Sequence, residues 1–259
     1  MSAHDAGGFR GDRQETSLPA AVLFDLDGTL VDSEPLWFEA ETLLVGEYGQ
    51  DWGPAQARHL VGWSLWDSAT YLREEIGVEL ANAAIIDRMQ AHVVAGVAKA
   101  PPWRPGARAL LAEVRAAGVP TGLVTMSYWQ MTDTVVTALP VGSFDTVVSG
   151  DQVSRGKPHP DPYLLAADRL GVAAVDCVAI EDSVPGATSA RDAGCAVLVV
   201  PGAAPVEGLT GVILRDSLVG MSLAGLAALL HEHRAGVPGL QRDQSGSGAG
   251  SSTGIAATG

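Results

Sequence analysis

Two aspartates, Asp25 and Asp27, follow a run of four apolar residues at 21–24 and precede Gly28. Carboxylates at the end of a buried run are costly unless a cation or protons offset their charge. Gly28 allows backbone angles that a side chain would forbid. Two more apolar runs end in chemically useful groups: residues 121–124 at Thr125, and 177–180 at Glu181-Asp182. Lys157 follows a third run, 146–148, on a long loop, and is one of only two lysines among sixteen Lys and Arg residues. All-oxygen ligation by four carboxylates favours a hard cation, and Mg²⁺ is the usual choice beside phosphates. A carboxylate beside a metal and a phosphoryl group can act as a nucleophile, the role that suits Asp25. Asp27, two residues later, suits proton transfer to the leaving oxygen and from water. The Thr125 hydroxyl and the Lys157 ammonium suit the phosphoryl oxygens.

These residues act together only if separate strands deliver them to one crevice. The run at 21–24 has no polar break, as expected of a strand buried on both faces of a parallel sheet. From residue 107 onward helix and strand alternate. Helices are expected at 107–118, 128–139, 160–170, 184–193 and 223–231, with strands at 121–124, 146–148, 177–180 and 196–200 and an edge strand at 211–214. That alternation implies an α/β fold, a Rossmann-like parallel sheet with helices on both faces. Ligands bind such sheets outside the carboxyl ends of the strands. Between the first strand and the rest, a helix opens near Pro35, and residues 51–100 stay helical in pattern, clearest at 67–76 and 81–97. Pro101-Pro102 and Pro105-Gly106 then mark a hinge. The expected organisation is a core of residues 18–32 and 106–235 with a helical cap at 33–105. Polar, Gly-rich tails are expected to be disordered at 1–17 and 236–259.

Composition narrows the partners. The 259 residues carry a net charge of −14, against the basic footprint of a nucleic-acid binder. No apolar stretch is long enough to span a bilayer. Cys177 and Cys195 lie in or beside apolar runs and read as buried free thiols, which fits a cytoplasmic location. A small phosphorylated metabolite is the expected partner. Oligomeric state is not legible.

The four segments resemble the haloacid dehalogenase-like superfamily over roughly residues 20–200. The first motif stands as Asp25-Leu26-Asp27-Gly28-Thr29-Leu30, and the second as Thr125. The third is Gly156-Lys157-Pro158-His159-Pro160-Asp161-Pro162, and the fourth is Glu181-Asp182-Ser183 followed by Gly186. The resemblance implies an aspartyl-phosphate on Asp25. It also implies Mg²⁺ held by the Asp25 carboxylate, the Asp27 backbone carbonyl and Asp182, with Glu181 nearby or ligating. The helical insertion is similar to the family's small cap, which closes over the site and reads the substrate.

Departures from the family's other branches favour a phosphatase of sugar phosphates or phosphoglycolate-like esters. Halide-releasing members lack the second aspartate of the first motif, and Asp27 is present here. Phosphonate-cleaving members use a cap lysine, and Lys99 near the hinge is the only lysine close to the cap. Phosphosugar mutases similar to β-phosphoglucomutase carry a His after the first motif and an Arg on the cap specificity loop. The matching stretches here read Leu36-Trp37 and Gly62-Trp63-Ser64-Leu65. A mutase is the alternative reading, and a non-catalytic phosphate-binding protein the alternative of another class. Trp63 and Ser127 are candidate substrate contacts. Trp37, Trp52 and Trp66 read as cap core, as aromatics of a small helical domain usually do. His159 reads as loop structure, and His231 and His233, two apart on a helix, do not form a metal pair.

Overall fold

The computed structural model describes residues 17–61, 63–202 and 206–236. The expected disordered tails therefore lie almost wholly outside the described residues. Among the described residues six strands form one parallel sheet in the order β3-β2-β1-β4-β5-β6. They are β1 (Ala21–Phe24), β2 (Thr121–Val124), β3 (Thr146–Val148), β4 (Cys177–Glu181), β5 (Ala196–Val199) and β6 (Ile213–Leu214). The edge strand is shorter than the apolar run suggested, and β4 runs one residue further, to include Glu181 itself.

β1 is central and fully buried because helices cover both faces. Its side chains alternate between two apolar layers, as the period of a strand requires. Val22 and Phe24 join one layer, and Ala21 and Leu23 join the other. The second layer is filled by Tyr163 and Ala166 of α7 (Asp161–Leu170) and by Ala187 and Ala190 of α8 (Val184–Asp192). Helices α5 (Ala107–Ala116), α6 (Trp129–Thr137) and α9 (Leu223–Gly236) cover the first.

Register aligns the carboxyl ends. Phe24 stands beside Leu123 on one side and Ile180 on the other. The next residue, Asp25, donates its N–H to Ile180 O at 3.0 Å. One step further along the same register, Asp25 falls beside Glu181 and Val124. Three apolar runs far apart in sequence thus end at one level.

Four helices stand between β1 and α5 as the inserted cap: α1 (Glu34–Gly46), α2 (Pro54–Leu60), α3 (Leu65–Glu74) and α4 (Asn82–Lys99). α4 packs against α1, α3 and the core helix α6. Its buried face, Ile85, Ile86, Met89, Val93 and Val97, repeats at helical spacing. The cap has no separate core. Leu44, Leu72 and Met89 belong to the same apolar cluster as Phe24 and Met131 beneath them. The two connecting segments run side by side: Asp32 N donates to Pro102 O and Arg104 N to Leu30 O, both at 2.8 Å.

Candidate active site

The structure brings six of the candidate residues around one cavity of about 460 Å³ between the strand ends and the cap. Asp25, Asp27, Thr125, Ser127, Lys157 and Asp182 all line it. Trp63, on the cap side and 39% exposed, lines it as well. Glu181 lies behind this wall, fully buried.

Lys157 reaches the strand ends from the loop after β3. Its ammonium donates to Asp25 Oδ1 and to Glu181 Oε1, each at 2.6 Å, and to Val124 O at 3.0 Å. Burial alone would lower the affinity of this ammonium for its proton. The Asp25 and Glu181 charges more than reverse that, so Lys157 stays protonated. The Tyr163 hydroxyl also donates to Glu181 Oε1, at 2.6 Å. Glu181 Oε2 accepts from Asp182 N at 3.2 Å. Both oxygens of Glu181 are therefore committed to holding the loop and the lysine in place.

Asp25, Glu181 and Asp182 present oxygens within 4.8 Å of one another. Among the described residues Asp25 Oδ2 is buried with no hydrogen-bond partner. Burial lifts the Asp25 carboxyl to about 7, against the pull of Lys157 and helped by Glu181 and Asp27. Burial likewise holds Asp182 well above the carboxylate range, reinforced by the charges of Asp25, Glu181 and Glu34. Three carboxylates share one ammonium, so the cluster is short of positive charge. An oxygen-only donor set with an orphaned carboxylate oxygen fits a hard divalent cation. Within this trio both oxygens of Glu181 already accept hydrogen bonds, while Asp25 keeps one oxygen unpartnered among the described residues.

Asp27 is separate from this trio. Its Oδ2 accepts from Ser127 Oγ at 2.7 Å and from Thr125 Oγ1 at 3.3 Å. Its Oδ1 accepts from Ser33 Oγ and from Trp37 Nε1, the latter at 3.4 Å. Thr125 Oγ1 also accepts from Ser127 N at 3.0 Å. Both Thr125 and Ser127 thus brace Asp27 here.

Sequence reasoning missed several contributors. Trp37 was expected in the cap core, but it lines the cavity and touches Asp27. Trp66, also expected in the core, is 55% exposed, since it lies on the outer face of α3. Trp52 is buried as expected. Tyr163 and Ser33 gave no motif signal, and their contacts come from the tertiary fold alone; Arg58 and Glu41, which line the cavity, gave none either. His159 Nδ1 lies 3.0 Å from Asp161 Oδ1, at the start of α7. Cys177 and Cys195 are buried free thiols. Among the described residues no helix is long and apolar enough to cross a membrane.

A family model described as haloacid dehalogenase-like hydrolase matches residues 19–194. Hexitol phosphatase B of Escherichia coli is 33% identical over 192 residues, covering 70% of this chain and 83% of that protein. The crystal structure of CbbY from Rhodobacter sphaeroides in complex with xylulose-(1,5)-bisphosphate superposes with a TM-score of 0.72 at 31% identity. That match covers 81% of this chain and 99% of the other. β-Phosphoglucomutase from Clostridium difficile, at 21% identity and a TM-score of 0.73 over 84% of this chain and 100% of that one, shares the fold.

Proposed function

The chain belongs to the haloacid dehalogenase-like hydrolases, and we propose that it is a Mg²⁺-dependent phosphatase of a small, hydroxylated phosphate monoester. The observation that carries this reading is the placement of Asp25. It follows the central strand with one oxygen on Lys157 and the other unpaired among the described residues, beside Asp182 and lining the cavity under the cap. The named activities of the E. coli relative and the sugar bisphosphate bound to CbbY support a phosphorylated carbohydrate as substrate class.

The Asp25 carboxylate attacks phosphorus, and the bond from phosphorus to the ester oxygen breaks. Asp27 gives a proton to the departing oxygen, leaving an aspartyl-phosphate on Asp25. Asp27 then takes a proton from water, which attacks phosphorus and frees the aspartate and inorganic phosphate. Three of the four groups holding Asp27 are hydroxyls, from Ser33, Thr125 and Ser127. A hydroxyl can donate or accept, so this setting tolerates both protonation states of the carboxyl. Lys157 keeps Asp25 aimed and supplies positive charge beside the phosphoryl group. Mg²⁺ on Asp25 and Asp182, when bound, would offset the repulsion between an anionic nucleophile and an anionic ester. Closure of the cap over a bound ester would exclude water from the reaction.

The test is phosphate release from an aryl phosphate and a panel of sugar and polyol phosphates, with Mg²⁺. Asp25→Asn should lower kcat by on the order of 10³-fold or more. Equal rates in the wild type and this variant would remove the assignment. Isomerisation of a hexose 1-phosphate without free phosphate, followed by NMR, would replace it with a mutase.

A further inference from the structure

The face of α1 toward the cavity repeats at helical spacing: Glu34, Trp37 and Phe38, then Glu41. Trp37 marks the reacting end, with its indole nitrogen 3.4 Å from Asp27 Oδ1. Glu41 lies one turn further along, about 6 Å by helical rise and away from the catalytic aspartates. It is 6% exposed, yet it is one of the residues that line the cavity. Among the described residues its hydrogen bond is from Trp52 Nε1 to Oε2, at 2.9 Å. No basic side chain forms an ion pair with it among the described residues, and Oε1 remains for a ligand.

A buried carboxyl with half its hydrogen-bonding capacity unused is expensive to keep. Phe38, Leu65, Ser68 and Met89 line the same cavity, and Arg58, which lines it too, forms no ion pair with Glu41 among the described residues. Burial raises it to about 7, so near neutral pH both protonation states are present, one donating and one only accepting. Hydroxyl groups, which donate and accept, match both states. A second anionic group at this depth would be repelled by the ionised form.

We propose that Glu41 binds the hydroxyl groups of the substrate's carbon chain and so selects polyhydroxylated phosphate esters over unfunctionalised ones. This rests on the phosphatase reading above and adds the residue that recognises the non-reacting end. The phosphoryl group sits on Asp25 and Lys157, and the chain extends along α1 past Trp37 to Glu41.

The experiment compares kcat/KM for sorbitol 6-phosphate and for phenyl phosphate, with the full chain and Mg²⁺, in the wild type, Glu41→Gln and Glu41→Leu. The ratio of the two should fall about tenfold or more in Glu41→Leu, chiefly through a higher KM for the polyol ester. Glu41→Gln, which keeps the size and an acceptor for Trp52, should give a smaller fall, about threefold or more. If Glu41→Leu does not fold, Glu41→Gln alone decides. An unchanged ratio in the folded variants overturns the role of Glu41 and leaves the phosphatase standing. A wild type that prefers phosphoethanolamine to sorbitol 6-phosphate also overturns it, by making Glu41 an ammonium site. Failure of the wild type on every ester, with Asp25→Asn no different, brings down the phosphatase reading itself.

Discussion

Gly28 packs so closely on Asp182 that a Cβ added at position 28 would lie 2.0 Å from Asp182 Oδ2. The first acidic loop and the last are thus in contact, and Gly28 also has a left-handed φ of +83°. Gly28→Ala therefore meets two obstacles: a strained backbone and a displaced carboxylate. The strain alone costs about 1–2 kcal/mol. The expected result is a lower midpoint in urea together with weaker Mg²⁺ activation. A variant with unchanged Mg²⁺ dependence would show that the contact does not set the position of Asp182.

Lys157→Met should harm both folding and turnover. Removing the ammonium leaves Asp25 and Glu181 buried without their shared cation, a loss of roughly 3–5 kcal/mol. Phosphate release should fall on the order of 10²-fold or more. Denaturant melts and initial rates check the two effects separately. A stable, inactive variant would assign Lys157 to catalysis alone.

Mg²⁺ should stabilise the folded chain, since the unfolded chain does not assemble Asp25 and Asp182. At a hundred times its dissociation constant, a ligand adds about 2.7 kcal/mol, enough to raise Tm by several degrees. Asp182→Asn should lose most of that rise, and chelation by EDTA should abolish activity reversibly. Equal thermal shifts in wild type and variant would place the cation elsewhere.

Glu41 makes stability depend on pH in a stated direction. Burial raises its carboxyl from an ordinary 4.5 to about 7 in the fold. The folded chain therefore holds this proton more tightly than the unfolded one. The protein loses stability as pH rises from 4.5 through 7, and the loss levels off above that. Glu41→Gln escapes it, and should exceed the wild type by about 3 kcal/mol at pH 8 while matching it near pH 4. Urea melts across that range measure the difference, and a gap that stays constant with pH contradicts the buried charge.

Much of the candidate site's placement was legible because its residues sit where apolar runs stop. Asp25, Thr125 and Glu181 could be found by asking which group ends each strand, and the sheet register explains why the question worked. Lys157 stood out by rarity in an Arg-rich chain. What stayed hidden depends on which way a helix faces. Trp37 and Trp52 are both tryptophans in cap helices or their connections, yet one borders the cavity and the other is core. Composition cannot separate them. Tyr163 reads as an ordinary apolar-face residue of α7, and only the fold reveals its hydroxyl on Glu181. Glu41 looks like a solvated charge until α1 is seen to turn it inward.

The paired connections at Leu30–Arg104 and Asp32–Pro102 give the helical insert a single doorway. Since the polypeptide departs and returns at neighbouring points, lengthening or exchanging what lies between adds little closure entropy. The machinery on the sheet can thus stay constant while the roof is rebuilt, and a graft of another four-helix segment onto these two connecting segments would be the natural way to retarget the enzyme.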